Sequence, residues 1–162
     1  MVIKVLIAED DFRIAAIHES YIKKIEGFKV AGKAKSAKDM WEALQREQVD
    51  LILLDVYMPD ELGTNLLPLL RERCPEVDVI IITAATETTL LRDALHYGVV
   101  HYLIKPVTAQ KFAQVLTEYK EKKDIINSKD EVNQTMIDLF LDRCRKSQNK
   151  GMTEISPQAS IH

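Results

Sequence analysis

Leu51-Ile52-Leu53-Leu54 is an unbroken apolar run that stops at Asp55, with Met58-Pro59 close behind. A run without polar alternation reads as a strand covered on both faces, the situation of a parallel sheet held between helices. Asp55 then stands at a strand's carboxyl end. In an open parallel sheet that rim gathers ligands and chemistry, because the loops leaving the strands converge there.

Three more apolar runs end in polar groups. Val2 to Ala8, interrupted by Lys4, ends in Glu9-Asp10-Asp11; Val77 to Ile82 ends at Thr83-Ala84-Ala85; Val99 to Ile104 ends at Lys105-Pro106. Phe28 to Ala34 alternates, which suits a sheet edge. Helical spacing fills the gaps. From Phe12 to Ile25, Ile14, Ile17, Tyr21, Ile22 and Ile25 fall on or near one face. Ser36 is the expected N-cap of a helix through Met40, Trp41 and Leu44 to about Glu47, with Asp39 completing a box-like start. Thr64 or Asn65 opens a helix over Leu66 to Arg73, in which Pro68 is expected in the first turn. A helix from Glu87 to Tyr97 is stopped by Gly98, and Thr108 caps one carrying Phe112, Val115, Leu116 and Tyr119. Five strand-helix repeats imply right-handed crossovers and an α/β, doubly wound, five-stranded parallel sheet.

Beyond Tyr119 the character changes. Ser128-Lys129-Asp130-Glu131 has a capping-box pattern for a new helix with Val132, Met136, Ile137, Leu139, Phe140 and Leu141. That stripe is more apolar than a lone exposed helix carries, so it either folds back or makes a dimer contact. From about Ser147 the chain turns polar and is expected to be disordered. The net charge of -3 argues against nucleic-acid binding by bulk charge. Cys74 and Cys144 match neither a metal pattern nor a disulfide framework, and no apolar run reaches membrane-spanning length, so a cytoplasmic location is expected. His18, His96, His101 and His162 lack ligand spacing. Trp41 reads as core; Asp11, Asp60 and Glu61 read as solvated loop acids.

The strand ends carry the chemistry. Glu9 and Asp10, Asp55, Thr83 and Lys105 become neighbours along one edge of such a sheet. Hard carboxylate oxygens suit Mg²⁺, which takes one or two protein carboxylates and keeps several waters. Asp55, central in the group, is the natural nucleophile toward phosphorus, with Lys105 and Thr83 available to phosphoryl oxygens.

Ile7-Ala8-Glu9-Asp10-Asp11, Leu54-Asp55-Val56-Tyr57-Met58-Pro59, Ile82-Thr83-Ala84 and Tyr102-Leu103-Ile104-Lys105-Pro106 stand in the order of a known pattern. Over residues 1–122 the chain resembles the receiver domain of two-component response regulators. The resemblance implies that Asp55 accepts a phosphoryl group from a sensor histidine kinase. It implies that Glu9, Asp10, Asp55 and the backbone carbonyl of Tyr57 hold Mg²⁺, that Thr83 and Lys105 bind the phosphoryl oxygens, and that Tyr102 is the switch aromatic. The implied strand order is 2-1-3-4-5, flavodoxin-like. Glu9 departs from the family's more common aspartate, its longer arm being able to reach the metal through water.

Glu131 to Phe140 resembles, more weakly, the citrate- and malate-responsive regulators, in which a helical linker joins the receiver to a helix-turn-helix domain. This implies a linker over residues 123–148 and, over 149–162, a tail at the start of an output domain missing from the chain. DNA contact is then expected only through that domain, and a homodimer through the 87–126 face, the linker helix, or both. A stand-alone receiver acting by protein contacts is the alternative. An aspartyl-phosphate phosphohydrolase is disfavoured, since Tyr57 occupies the place of the second acid such enzymes carry two residues after the nucleophile. The protein is therefore expected to be a phosphoacceptor and not an enzyme, with slow self-dephosphorylation flanked by Tyr57 and Ala85.

Overall fold

The computed structural model describes residues 1–138, 140 and 141. Strands and helices alternate as β1 (Ile3–Ala8), α1 (Phe12–Lys23), β2 (Phe28–Ala34), α2 (Ala37–Arg46), β3 (Leu51–Leu54), α3 (Gly63–Arg73), β4 (Asp78–Thr83), α4 (Thr88–His96), β5 (His101–Ile104) and α5 (Ala109–Asn127). All strand pairs are parallel and the order is β2-β1-β3-β4-β5, the order that the family resemblance implies. β2 lies at an edge and carries one extra residue, Ala31, where the register steps from Val5↔Val30 to Leu6↔Gly32.

The central run divides its side chains between two cores. Ile52 and Leu54 pack with Met40, Leu66, Leu67, Leu70 and Ala94 from α2, α3 and α4. Leu51 and Leu53 face the other way, toward Ala15 and Ile22 of α1 and Phe112, Val115 and Leu116 of α5. Period-two alternation with both faces covered is why this strand shows no polar residue.

Four details differ from the sequence reading. In α1 the buried face is Ala15, His18 and Ile22, while Ile17 is 48% exposed. The ring of His18 is stacked on Phe112 of α5 at 5.4 Å between centroids, which is what selects this face. In α3 the helix starts at Gly63, so Pro68 lies past the first turn and its missing N–H forfeits a bond to the preceding turn. Gly63 donates to the Val56 carbonyl at 2.6 Å, and a Cβ there would stand 2.6 Å from Val56 Cα; only glycine permits that approach. Trp41 is partly buried instead of central, with the Arg73 guanidinium 4.9 Å above its ring. Ser128 finishes α5 by donating to the Ile125 carbonyl, and the next helix, from Gln134, is capped by Asn133 through Met136 N at 2.9 Å.

By its packing the chain divides after Lys120. In the second part Val132, Ile137 and Leu141 are exposed. Residues 142–162, which take in the end of the expected linker, Cys144, His162 and the whole expected tail, lie outside the described residues, as does Leu139.

Candidate phosphoacceptor site

Sheet hydrogen bonding runs one residue past the strands. Glu9 N donates to Ala34 O, Asp55 N to Ala8 O and Lys105 N to Thr83 O, each between 2.9 and 3.0 Å. The register of β1, β3, β4 and β5 therefore carries directly into the rim and brings their terminal side chains together. Both Asp55 and Glu9 are buried, at 7% and 5% exposure.

Every oxygen of Asp55 is engaged. Oδ1 accepts from Thr83 Oγ1 at 3.0 Å and from Tyr57 N at 3.0 Å; Oδ2 accepts from Lys105 Nζ at 2.7 Å. Lys105 Nζ also donates to Glu9 Oε1, and Glu9 Oε2 accepts from Asp11 N at 3.2 Å. Burial alone would lower the Lys105 pKa, but its bonds to Asp55 and Glu9 hold it above the ordinary lysine value. Burial raises the Glu9 carboxyl, with Lys105 pulling the other way.

Glu9, Asp10 and Asp55 each offer a carboxylate oxygen, all within 4.8 Å of one another, with Asp10 exposed to water. Three hard anionic donors with a partly open side fit Mg²⁺. When all three carboxylates are ionised, the single charge of Lys105 leaves two negative charges unbalanced, which a divalent cation matches.

A second chain of contacts leads away from Asp55. Thr83 is fully buried; its Oγ1, besides donating to Asp55, accepts from Ala85 N at 3.3 Å. Tyr102 OH donates to the Ala85 carbonyl at 2.9 Å. The residues expected at the switch, Thr83 and Tyr102, thus meet on Ala85. Tyr57 OH donates to Glu87 at 3.2 Å, tying the loop after β3 to the start of α4.

Six of the seven residues expected at the site lie on this rim, and Tyr102, within β5, reaches it through its hydroxyl on Ala85. Two acids expected to be solvated in loops are helix caps instead. Asp11 is not a free loop acid but the N-cap of α1, accepting from Arg13 N at 2.9 Å and Ile14 N at 3.4 Å, which an acid just before a helical run could have announced. Asp60 caps α2 from 22 and 23 residues away, and no local signal announces that. His18, to which no chemistry was given, is a buried ring whose pKa falls to about 4, mainly through burial and then through Lys105.

Residues 5–117 match the family described as the response regulator receiver domain. The transcriptional regulatory protein CitT of Bacillus subtilis (strain 168) is 60% identical over 136 residues, covering 84% of this chain and 60% of that protein. The transcriptional regulatory protein DcuR of Escherichia coli (strain K12) is 38% identical over 141 residues, covering 86% and 59%. The chain thus spans about three-fifths of the length of these relatives. Among solved structures, the REC domain of AraT, a response regulator from Geobacillus stearothermophilus, superposes with a TM-score of 0.71 at 30% identity, covering 78% of this chain and 99% of that one. A CheY-like receiver domain protein from Methanospirillum hungatei JF-1 gives 0.68 at 26% identity, covering 79% and 98%.

Proposed function

Because this chain belongs to the response regulator receiver family of two-component transcriptional regulators, we propose that Asp55 accepts a phosphoryl group from a sensor histidine kinase in a Mg²⁺-dependent reaction. The observation that carries the reading is the buried carboxylate of Asp55 held between Lys105 and Thr83 and beside two further acids. An Asp55 oxygen forms a bond to phosphorus as the P–N bond of the donor phosphohistidine breaks. The electron pair stays on the imidazole nitrogen, which takes up a proton from water, and an acyl phosphate remains.

Glu9, Asp10, Asp55 and the Tyr57 carbonyl are the residues assigned to hold Mg²⁺. When bound, the ion offsets charge on the phosphoryl oxygens. Lys105 already lies 2.7 Å from the nucleophile and keeps its charge, so it meets that same build-up from the protein's side. Thr83 must exchange its bond to Asp55 for one to the phosphoryl group, and that shift is felt at Ala85 and hence at Tyr102. Phosphorylation then favours one arrangement of the α4–β5 surface over another, a shift of population.

Exposed Leu91, Leu95, Val100 and Ile104 on and between α4 and β5 support a homodimer through this face, with the linker helix as a further contact. The domain limits of the reading are a receiver over 1–122, a linker over 123–148 and the start of an output domain after it. DNA contact falls to the part of such regulators beyond the receiver. No helix among the described residues is long and apolar enough to cross a membrane, and the reading puts the protein in the cytoplasm. Tyr57 keeps the place of a hydrolase's second acid and gives its hydroxyl to Glu87, so slow self-dephosphorylation is expected in place of turnover.

Acetyl phosphate with Mg²⁺ should add one base-labile phosphoryl group, read by intact mass, and chelation of the metal should reduce uptake by at least about 100-fold. Equal labelling in excess chelator would defeat the metal part of the reading.

A further inference from the structure

The first turn of α2 leaves the N–H groups of Ala37, Lys38 and Asp39 without helical partners. Ser36 Oγ satisfies only Asp39 N, at 3.1 Å. The other two go to one carboxylate: Asp60 Oδ1 accepts from Ala37 N at 2.8 Å and Oδ2 from Lys38 N at 3.0 Å. A negative charge at a helix N-terminus is favourable, and these two bonds hold the Asp60 carboxyl below its ordinary pKa.

Asp60 belongs to the loop between β3 and α3, the loop that starts at the phosphoacceptor. Its base is closed by Gly63 N to Val56 O at 2.6 Å and by the Tyr57↔Leu62 bridge. Glu61 accepts from Asn65 at 2.7 Å, but Asn65 lies on α3, the helix that continues the loop. The two bonds of Asp60 reach a separate element, α2. Tyr57, whose N–H holds Asp55 Oδ1, is itself part of the closed base, three residues before this anchor.

We propose that Asp60 is a positioning residue for the phosphoacceptor site: by capping α2 it holds the β3–α3 loop so that Tyr57 keeps its place against Asp55 and the cation pocket. The proposal rests on the metal assignment given above, in which the Tyr57 carbonyl is a ligand. Partners that orient a metal's ligands are worth roughly 10- to 100-fold in affinity when removed, and an anchor acting through a loop belongs at the low end.

The comparison that isolates this role is Asp60→Ala against Ser36→Ala, since both remove a cap from the same helix end and only the first touches the loop. Calorimetric titration of the 162-residue chain with Mg²⁺ should show Kd about tenfold weaker in Asp60→Ala and within about twofold of wild type in Ser36→Ala, where no ligand is disturbed. Without metal, the amides of Tyr57 to Gly63 should exchange faster in Asp60→Ala alone. Asp60→Asn keeps one acceptor and should fall between, which guards against a poorly folded alanine variant. Equal Mg²⁺ affinity and equal loop exchange in the two alanine variants would overturn the proposal while leaving the metal assignment intact. If wild type itself takes up no Mg²⁺, the metal assignment fails, and the exchange of Tyr57 to Gly63 still decides whether Asp60 anchors the loop.

Discussion

Asp55→Asn should take up no phosphoryl group from acetyl phosphate and Mg²⁺, while its melting temperature should stay close to that of the wild type. The amide has nearly the same shape, and its oxygen can still accept from Thr83 Oγ1 and Tyr57 N. What disappears is the second anionic oxygen, now facing Lys105 at 2.7 Å, and with it the nucleophile. Neither neighbouring acid is placed to stand in. Glu9 is held on both oxygens by Lys105 and Asp11 N, and Asp10 is exposed. Intact mass of the two proteins treated side by side is the check; unchanged labelling of the asparagine variant would show that the acceptor lies elsewhere.

Lys105→Ala is the second large effect, and it has two parts. The lysine side chain is 16% exposed, and the side chains of its partners Glu9 and Asp55 are 4% and 8% exposed. Removing one member of a buried ionic group leaves the others unpaired, at a cost of about 3 kcal/mol in metal-free buffer. The loss depends on pH in a direction set by Glu9, whose folded-state pKa is already raised by burial and loses a lowering partner with the lysine. A carboxyl raised in the folded state binds its proton more tightly there than in the unfolded chain. Stability of the variant should therefore fall as pH rises through the folded Glu9 value and recover on acidification, narrowing the gap from wild type between a neutral and a mildly acidic pH. Millimolar Mg²⁺ should restore part of it, because the cation binds only the folded cluster. The second part is kinetic: without the ammonium group beside the nucleophile, labelling should slow by roughly 100-fold. Urea melts at the two pH values, with and without Mg²⁺, check the first part and timed intact mass the second. A gap that widens on acidification would contradict the assignment of Glu9.

The parallel sheet was readable because a strand buried on both faces leaves an unmistakable run, Leu51 to Leu54, and because each run ends at a polar group. The site was readable for the same reason. Glu9, Asp55, Thr83 and Lys105 sit at strand ends, and register fixes who their neighbours are. Side-chain pairing across long sequence separations was not readable. Asp60 looks like any loop acid until folding places α2 beside it, and Tyr57 and Glu87 meet only through the packing of two loops. The buried face of α1 differs from the apolar pattern because Ile17 is the more apolar residue, whereas ring stacking on Phe112 selects His18. Pro68 falls deeper in α3 than its sequence suggests because the close approach of Gly63 to Val56, which starts α3 early, involves a backbone contact that residue type alone does not announce.

On the reading proposed above, groups from four strand ends make one pocket for a divalent cation and a phosphoryl group. Titrating Mg²⁺ and beryllofluoride, a phosphoryl mimic, into ¹⁵N-labelled protein tests it most directly. The amides of Glu9 to Asp11, Tyr57, Thr83 to Ala85, Tyr102 and Lys105 should shift together and saturate at one equivalent, with Mg²⁺ required. Shifts confined to one strand end, or a response that survives Asp55→Asn, would contradict it.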